Sequence, residues 1–328
     1  MVKMFPNVRL RRLRNNHLIR DIVTEYKITP KNLILPLFVK EGLEKKQPVV
    51  SMPGVFQHSI DSLIEECHQA MELGIPGVIL FGIPKKKDAV GSEAYNPKGI
   101  IPNAIRAIKK ELGEKILVAG DVCLCEYTDH GHCAPIDGKR VLNDEGIKLY
   151  AKASLEYAKA GVDIVAPSDM MDGRVGAIRK ILDENNFEDT IILSYAVKYA
   201  SNFYGPFRDA AESGFAAGPK DRKSHQMDPA NFTQAITEVE LDIEEGADII
   251  MVKPALPYLD VLHALSNRFN VPFAAFMVSG EYAMIMAAAR NGWLDEQKCM
   301  LEALLAIRRA GATMILTYYA KKAAELIK

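Results

Sequence analysis

An α/β chain folded as a (β/α)8 TIM barrel with an extended N-terminal arm is what this sequence predicts, on three observations. First, one pattern recurs four times, at residues 72–82, 159–169, 244–254 and 309–319: a helical stretch ends in glycine, and an apolar run follows that stops at reactive residues. Second, apolar runs without that prefix at 33–39, 116–121, 191–197 and 271–278 bring the strand candidates to eight. Third, these runs are too uniformly apolar to have a wet face, so they belong in a parallel sheet covered by helices.

In chain order, residues 1–30 precede the first strand and form an arm with too little to bury alone, expected to wrap a neighbouring subunit. Residues 31–328 form the barrel. A helix over 60–73, capped by Ser59, places Leu63, Ile64, Cys67, Met71 and Leu73 near one face. Segments 143–160 and 257–269 repeat that spacing, and 295–309 opens with acid and closes with base, as the helix dipole favours. The glycine of each recurrent pattern supplies a left-handed helix stop. Residues 201–231 differ: rich in glycine, proline and charge and without a period, they read as a lid over the strand ends. The thirteen methionines mostly fall on apolar faces and read as packing.

Charged residues make up 25% of the 328 and leave a formal net charge of -1, so no basic field argues for nucleic acid or an anionic membrane surface. A small molecule is the expected partner. No apolar run approaches the roughly 18 to 20 residues a membrane span needs, and the Arg-rich start lacks the apolar core of a secretory signal. Five cysteines in such a chain point to reducing cytoplasm rather than a disulfide framework.

Chemistry is densest at residues 121–133, DVCLCEYTDHGHC. Cys123 and Cys125 are two apart and would leave one face of a continuing strand, and Cys133 can fold back after a turn at Gly131. Three thiolates suit zinc, and a three-ligand set leaves a fourth position open for chemistry. The plainer alternative is reduced cysteines beside a solvated loop.

In a barrel of this kind the site lies at the carboxyl ends of the strands. Those ends carry Asp121, Ser168 and Asp169, Lys198, Lys253, Ser279 and Tyr318. Two lysines on neighbouring strands are the informative pair. Burial and a second ammonium both lower a lysine pKa, and a neutral amine attacks carbonyls, so Lys198 and Lys253 look like Schiff-base machinery for ketones. The alternative pairs each with a carboxylate such as Asp121 or Asp169. The lid supplies Tyr204, Phe207, Arg208, Arg222 and Lys223, with the arginines suited to clamp a carboxylate. Ser279 and Tyr318 could hold a second one or be satisfied core hydroxyls. His58, His68 and His263 read as structural, and the lysines at 85–87 as solvated.

With these residues in view, the chain resembles the porphobilinogen synthase family, also called 5-aminolevulinate dehydratases, over nearly its whole length. The resemblance rests on DVCLCEYTDHGHC, APSDMMDGR (166–174), SYAVKYASNFYGPFR (194–208), DRKSHQMDPAN (221–231), MVKPALPYLD (251–260) and VSGEYAMI (278–285). It implies a barrel with an arm, assembled as a homo-octamer, that joins two molecules of 5-aminolevulinate into porphobilinogen for tetrapyrrole (heme) biosynthesis. Position by position, Lys253 matches the lysine on the propionate-side substrate and Lys198 its partner on the acetate side. Cys123, Cys125 and Cys133 match zinc ligands, Arg208 and Arg222 the acetate-side carboxylate clamp, and Ser279 and Tyr318 the grip on the other carboxylate. Asp121 and Ser168 line the same mouth with Tyr204 and Phe207. Glu238 matches a carboxylate that supports a regulatory magnesium in some members. Four departures stand out: Ala134 for a frequent glycine, Asp129 for serine, His225 for tyrosine, and extra lid residues around 215–219. Two other readings of the residues remain at this stage, a one-lysine aldolase on the same barrel and a metal-binding regulatory protein without turnover.

Overall fold

Eight parallel strands close into a barrel in the computed structural model, which describes residues 8–327. In chain order they are β1 (Leu33–Lys40), β2 (Gly77–Ile83), β3 (Leu117–Val122), β4 (Ile164–Pro167), β5 (Ile191–Lys198), β6 (Ile249–Lys253), β7 (Phe273–Met277) and β8 (Met314–Thr317). Each pairs with the next, and β8 pairs back onto β1 through Leu33 opposite Ile315. Every residue of β2, β6 and β7 is buried, as expected of strands with helices on one side and a packed interior on the other. A fully buried Ile79 or Leu80 contributes roughly 1.5–3 kcal/mol relative to exposure.

The helices begin and end where their sequence signals lie. Ser59 accepts the Ser62 N–H ahead of Ile60–Glu72, and Asp295 accepts the Lys298 N–H ahead of Glu296–Arg309. The four recurrent glycines, Gly74, Gly161, Gly246 and Gly311, all have positive φ. At Gly311 a β-carbon would also sit 2.1 Å from Ser266 Oγ, so only glycine fits that turn. Helix 257–269 starts later than its period suggests, at Leu259, because Leu256–Tyr258 forms a 3-10 turn around Pro257.

Two expectations need revision. Residues 201–231 are not a structureless loop: Asn202–Tyr204 forms a turn and Gly205–Ala210 a helix that lies across the barrel mouth. Phe207 packs there 5.1 Å from the Phe81 ring and 5.6 Å from Phe38. The basic run at 85–87 is not simply solvated, because Lys87 Nζ donates to the Glu212 carbonyl 2.6 Å away at the end of that helix. Of the expected arm, residues 1–7 lie outside the described residues; the rest carries a turn (Leu10–Arg14) and a short helix (His17–Ile22) with no buried side chain. Leu10, Leu13, Leu18 and Ile22 are all exposed. No helix among the described residues is long and apolar enough to cross a membrane.

Candidate active site

Parallel pairing of β5 with β6 sets Lys198 directly opposite Lys253. Neighbouring strands run about 4.8 Å apart, so two ammonium-bearing side chains leave adjacent backbone positions into one mouth. The Tyr195 ring lies 5.6 Å from Lys198 Nζ and 5.0 Å from Lys253 Nζ. Around Lys253 Nζ stand three more rings, Phe276 at 4.3 Å, Phe207 at 5.2 Å and Tyr204 at 5.4 Å. Aromatic faces favour the ammonium, but they also exclude the water that would solvate it. Burial wins: with Lys198 adding repulsion, the Lys253 pKa is pushed down to about 7. Lys198 Nζ instead donates to the Ser168 carbonyl.

Among the described residues neither lysine forms an ion pair, although the charge of Asp121 still bears on Lys253. Asp121 accepts the Ser168 hydroxyl at 3.1 Å and keeps Oδ1 buried without a partner. Burial raises its pKa to about 6, against the pull of Lys253 and Lys198. Asp169 points away from the lysines toward Arg174. That guanidinium is fully enclosed, donating to Asp242 and to Ser194 Oγ at 3.0 Å, and it ties the loop after β4 to β5 and to helix Thr233–Glu244.

The three cysteines meet. Their sulfurs all lie within 4.8 Å of one another, buried and unbridged, with Cys123 and Cys125 3.3 Å apart. Tetrahedral zinc with Zn–S of about 2.3 Å requires sulfurs about 3.8 Å apart, so the donor set fits a soft or borderline cation with small adjustments. It is the one group of three or more metal-ligating side chains among the described residues. Cys125 is the sulfur most disposed to be thiolate, because hydrogen bonds from Cys123 and Cys133 hold its pKa well below the usual thiol value. Asp129 is exposed and apart from this cluster.

The lid brings the remaining residues in. Arg222, buried, donates to the Gly131 carbonyl at 2.9 Å, and both it and Arg208 keep a buried Nε without an acceptor. Tyr204 donates its hydroxyl to Tyr199 O at 2.9 Å and reaches Lys253 O at 3.2 Å. Ser279 grips the lid: its hydroxyl accepts the Phe207 N–H at 2.9 Å and donates to Phe203 O at 3.3 Å. Tyr318 stacks on Phe38 with its hydroxyl buried and unpartnered, one shell away from the lysines rather than beside them. Between Phe81, Cys125, Glu126, Ser168, the lysines and the lid, a cavity of only about 10 Å3 remains. That is room for about one water.

Several side chains of this mouth carry no motif that would single them out. Tyr195 and Phe276 look like strand packing until register places them against the ammonium groups, and Phe81 lines the same cavity. Glu126 adjoins Cys125, whose sulfur lies 3.2 Å from its carboxyl, and burial holds that carboxyl well above the usual range. Gln226 is buried with Nε2 unpartnered, four residues past Arg222. Glu238 lies elsewhere, hydrogen-bonded to Gln234 and facing a cavity of about 660 Å3 that it shares with Asp172, Asp228, His225 and the outer face of the lid. Burial holds His225 neutral there, its pKa down to about 3.

The family model for delta-aminolevulinic acid dehydratase matches residues 7–326. Curated relatives of that name include the protein of Methanothermus sociabilis, 50% identical over 98% of this chain and 99% of its own length. That of Bacillus subtilis is 50% identical over 97% of each. Among solved structures, delta-aminolevulinic acid dehydratase (porphobilinogen synthase) from Toxoplasma gondii in complex with the product porphobilinogen superimposes with a TM-score of 0.94 at 44% identity, covering 97% of this chain and 91% of that one.

Proposed function

The chain belongs to the delta-aminolevulinic acid dehydratase family and, as a hydro-lyase, condenses two 5-aminolevulinate molecules to porphobilinogen with loss of two waters, a step of tetrapyrrole biosynthesis, and we propose that Lys253 and Lys198 carry the reaction through imines with the two ketones. The single observation that supports this division is the pairing of those lysines across β5 and β6 with no carboxylate bound to either. With its pKa near neutrality, Lys253 offers a free amine to the ketone that supplies the propionate side. Lys198 takes the acetate-side ketone. Each imine forms with release of one water; the later C–C and C–N bonds free the lysines again, so two waters leave per porphobilinogen. Asp121, with about a tenth in its acid form at pH 7 and hydrogen-bonded to Ser168, would pass protons at this mouth.

Arg208 and Arg222, each with an unused buried donor, would bind the acetate-side carboxylate. Ser279 and Tyr318 would take the other. Phe207 and Tyr204 close over the imines and keep bulk water from hydrolysing them. Zinc held by Cys123, Cys125 and Cys133 would supply a Lewis acid beside the second substrate. Borohydride reduction in the presence of 5-aminolevulinate, followed by peptide mass analysis, tests the lysines: a label missing from Lys253 rejects its role.

Three further assignments belong to this reading. Magnesium, which keeps most of its water and takes one or two carboxylates, would sit at Glu238 and act as an activator; Glu238→Gln should abolish magnesium stimulation and spare zinc content. The exposed leucines and isoleucine of the arm would pack on a second subunit within a homo-octamer, so deleting the arm should lower the sedimenting mass. Five free thiols suit the reducing cytoplasm, where fractionation should find the protein.

A further inference from the structure

We propose that Phe215, in the extra stretch of the lid, is the positioning residue of the two-arginine carboxylate clamp; this rests on the reading of Arg208 and Arg222 given above. Both guanidinium carbons lie over its ring, Arg208 at 5.0 Å and Arg222 at 5.3 Å from the centroid. Two like charges are thereby gathered about one point, and each guanidinium has a buried Nε with no acceptor. Something must offset their repulsion before a carboxylate arrives. The negative face of an aromatic ring does this without consuming a donor, so the N–H groups stay free for the carboxylate. An acidic side chain in its place would occupy them.

The ring is itself held. His132 stacks on it at 5.2 Å with an interplanar angle of 29°. Backbone contacts on either side lock the same register: the Ala216 N–H donates to His130 O at 3.3 Å, and His132 Nε2 bonds Ala217 O at 3.1 Å. Gly131 lies so close to Gly214 that a β-carbon there would stand 2.2 Å from its carbonyl oxygen. His132 immediately precedes Cys133, so the loop that carries the third sulfur is also the wall against which Phe215 is set. Aromatic ring, histidine and two arginines form one stack from the cysteine loop to the clamp.

A ring that holds the clamp ready contributes equally to substrate binding and to the transition state, so its loss raises KM and spares kcat. Phe215→Leu keeps apolar volume and removes the π face; KM for 5-aminolevulinate should rise about ten-fold with kcat within about two-fold. Phe215→Tyr should restore the KM, because the face returns. Borohydride labelling of Lys253 and metal content should match wild type in all of these. Phe215→Met serves the same purpose if the leucine variant does not fold. The proposal is overturned if leucine or methionine leaves KM unchanged while Arg208→Gln raises it, if tyrosine fails to restore it, or if kcat falls in step. Should Arg208→Gln and Arg222→Gln both leave KM unmoved, the clamp reading itself fails, which is a separate outcome.

Discussion

Removing the charge of Lys198 should raise the pKa of Lys253, and the size of that rise can be worked from the fold. The two residues are paired across adjacent strands, and both ammonium groups lie over the Tyr195 ring. For a separation of about 7 Å, which two nitrogens over one ring allow, and an effective dielectric of about 20, the repulsion is roughly 2.4 kcal/mol, or about 1.7 pKa units. In Lys198→Gln, whose amide can still donate to the Ser168 carbonyl, Lys253 should therefore titrate near 8.7 rather than about 7. It should remain below the usual ammonium value, because burial, the larger cause of the depression, persists. The neutral fraction at pH 7 would drop from about a half to about 2 per cent, slowing imine formation roughly 25-fold at that pH and little at pH 9.5. Samples incubated with 5-aminolevulinate across a pH series, quenched into borohydride at one fixed pH and analysed for labelled Lys253, give the midpoint directly. A midpoint that stays at about 7 or moves down would refute the account of why this amine is reactive.

Three other outcomes are expected. On the zinc assignment proposed above, Cys133→Ala should lower zinc affinity by about 100-fold or more, read as bound metal after dialysis, because the cluster would lose one of the three thiols brought together there. Arg174→Met should cost about 3–5 kcal/mol in denaturant unfolding, since Asp242 would be left buried without its guanidinium partner; a loss under 1 kcal/mol would contradict that. Glu281, raised to about 7 by burial while accepting the Leu256 and Val278 N–H groups, should make stability pH-dependent. With the folded pKa above the unfolded value of about 4.5, its contribution is complete below pH 4.5 and is lost as pH rises through about 7, by roughly 3 kcal/mol at most. Glu281→Gln should flatten that slope, and parallel pH curves for the two proteins would exclude the assignment.

The barrel was legible because four of its strands are punctuated alike: a glycine such as Gly161 or Gly246 stops a helix, an unbroken apolar run follows, and reactive residues mark the carboxyl end. The lysines and cysteines were legible for a related reason, since a charge or thiol that ends a buried strand has few bland explanations. What stayed hidden depends on register and on side chains that look ordinary in a list. Tyr195 and Phe276 are unremarkable strand aromatics until the closing of the sheet turns them toward Lys253. The helix within residues 201–231 went unread because Gly205–Ala210 is too short to show a helical period, and it is ordered by contacts to distant residues, among them Ser279 and Lys87. Phe215 stood out only as part of the extra lid stretch, and nothing local tied it to the arginines, because its partners come from residues 132, 208 and 222.

The closed mouth constrains how the reaction must begin. The space between the lysines and this helix has room for about one water, so on the lid reading Gly205–Ala210 and the residues beyond it would open before either substrate binds. On that reading the lysines and Asp121 sit on strand ends and would stay in place on opening, whereas Arg208, Arg222 and Phe207 would move. Ser279 uses its hydroxyl on the Phe207 N–H and Phe203 O, and Arg222 uses one N–H on Gly131 O. Those are the same polar groups that the substrate carboxylates would claim. Opening the lid thus exchanges backbone partners for ligand partners instead of stranding buried donors, and each exchange avoids the roughly 1–3 kcal/mol that an orphaned group would cost. Lid and substrate compete for one set of bonds, so the lid can be closed without substrate and still yield to it.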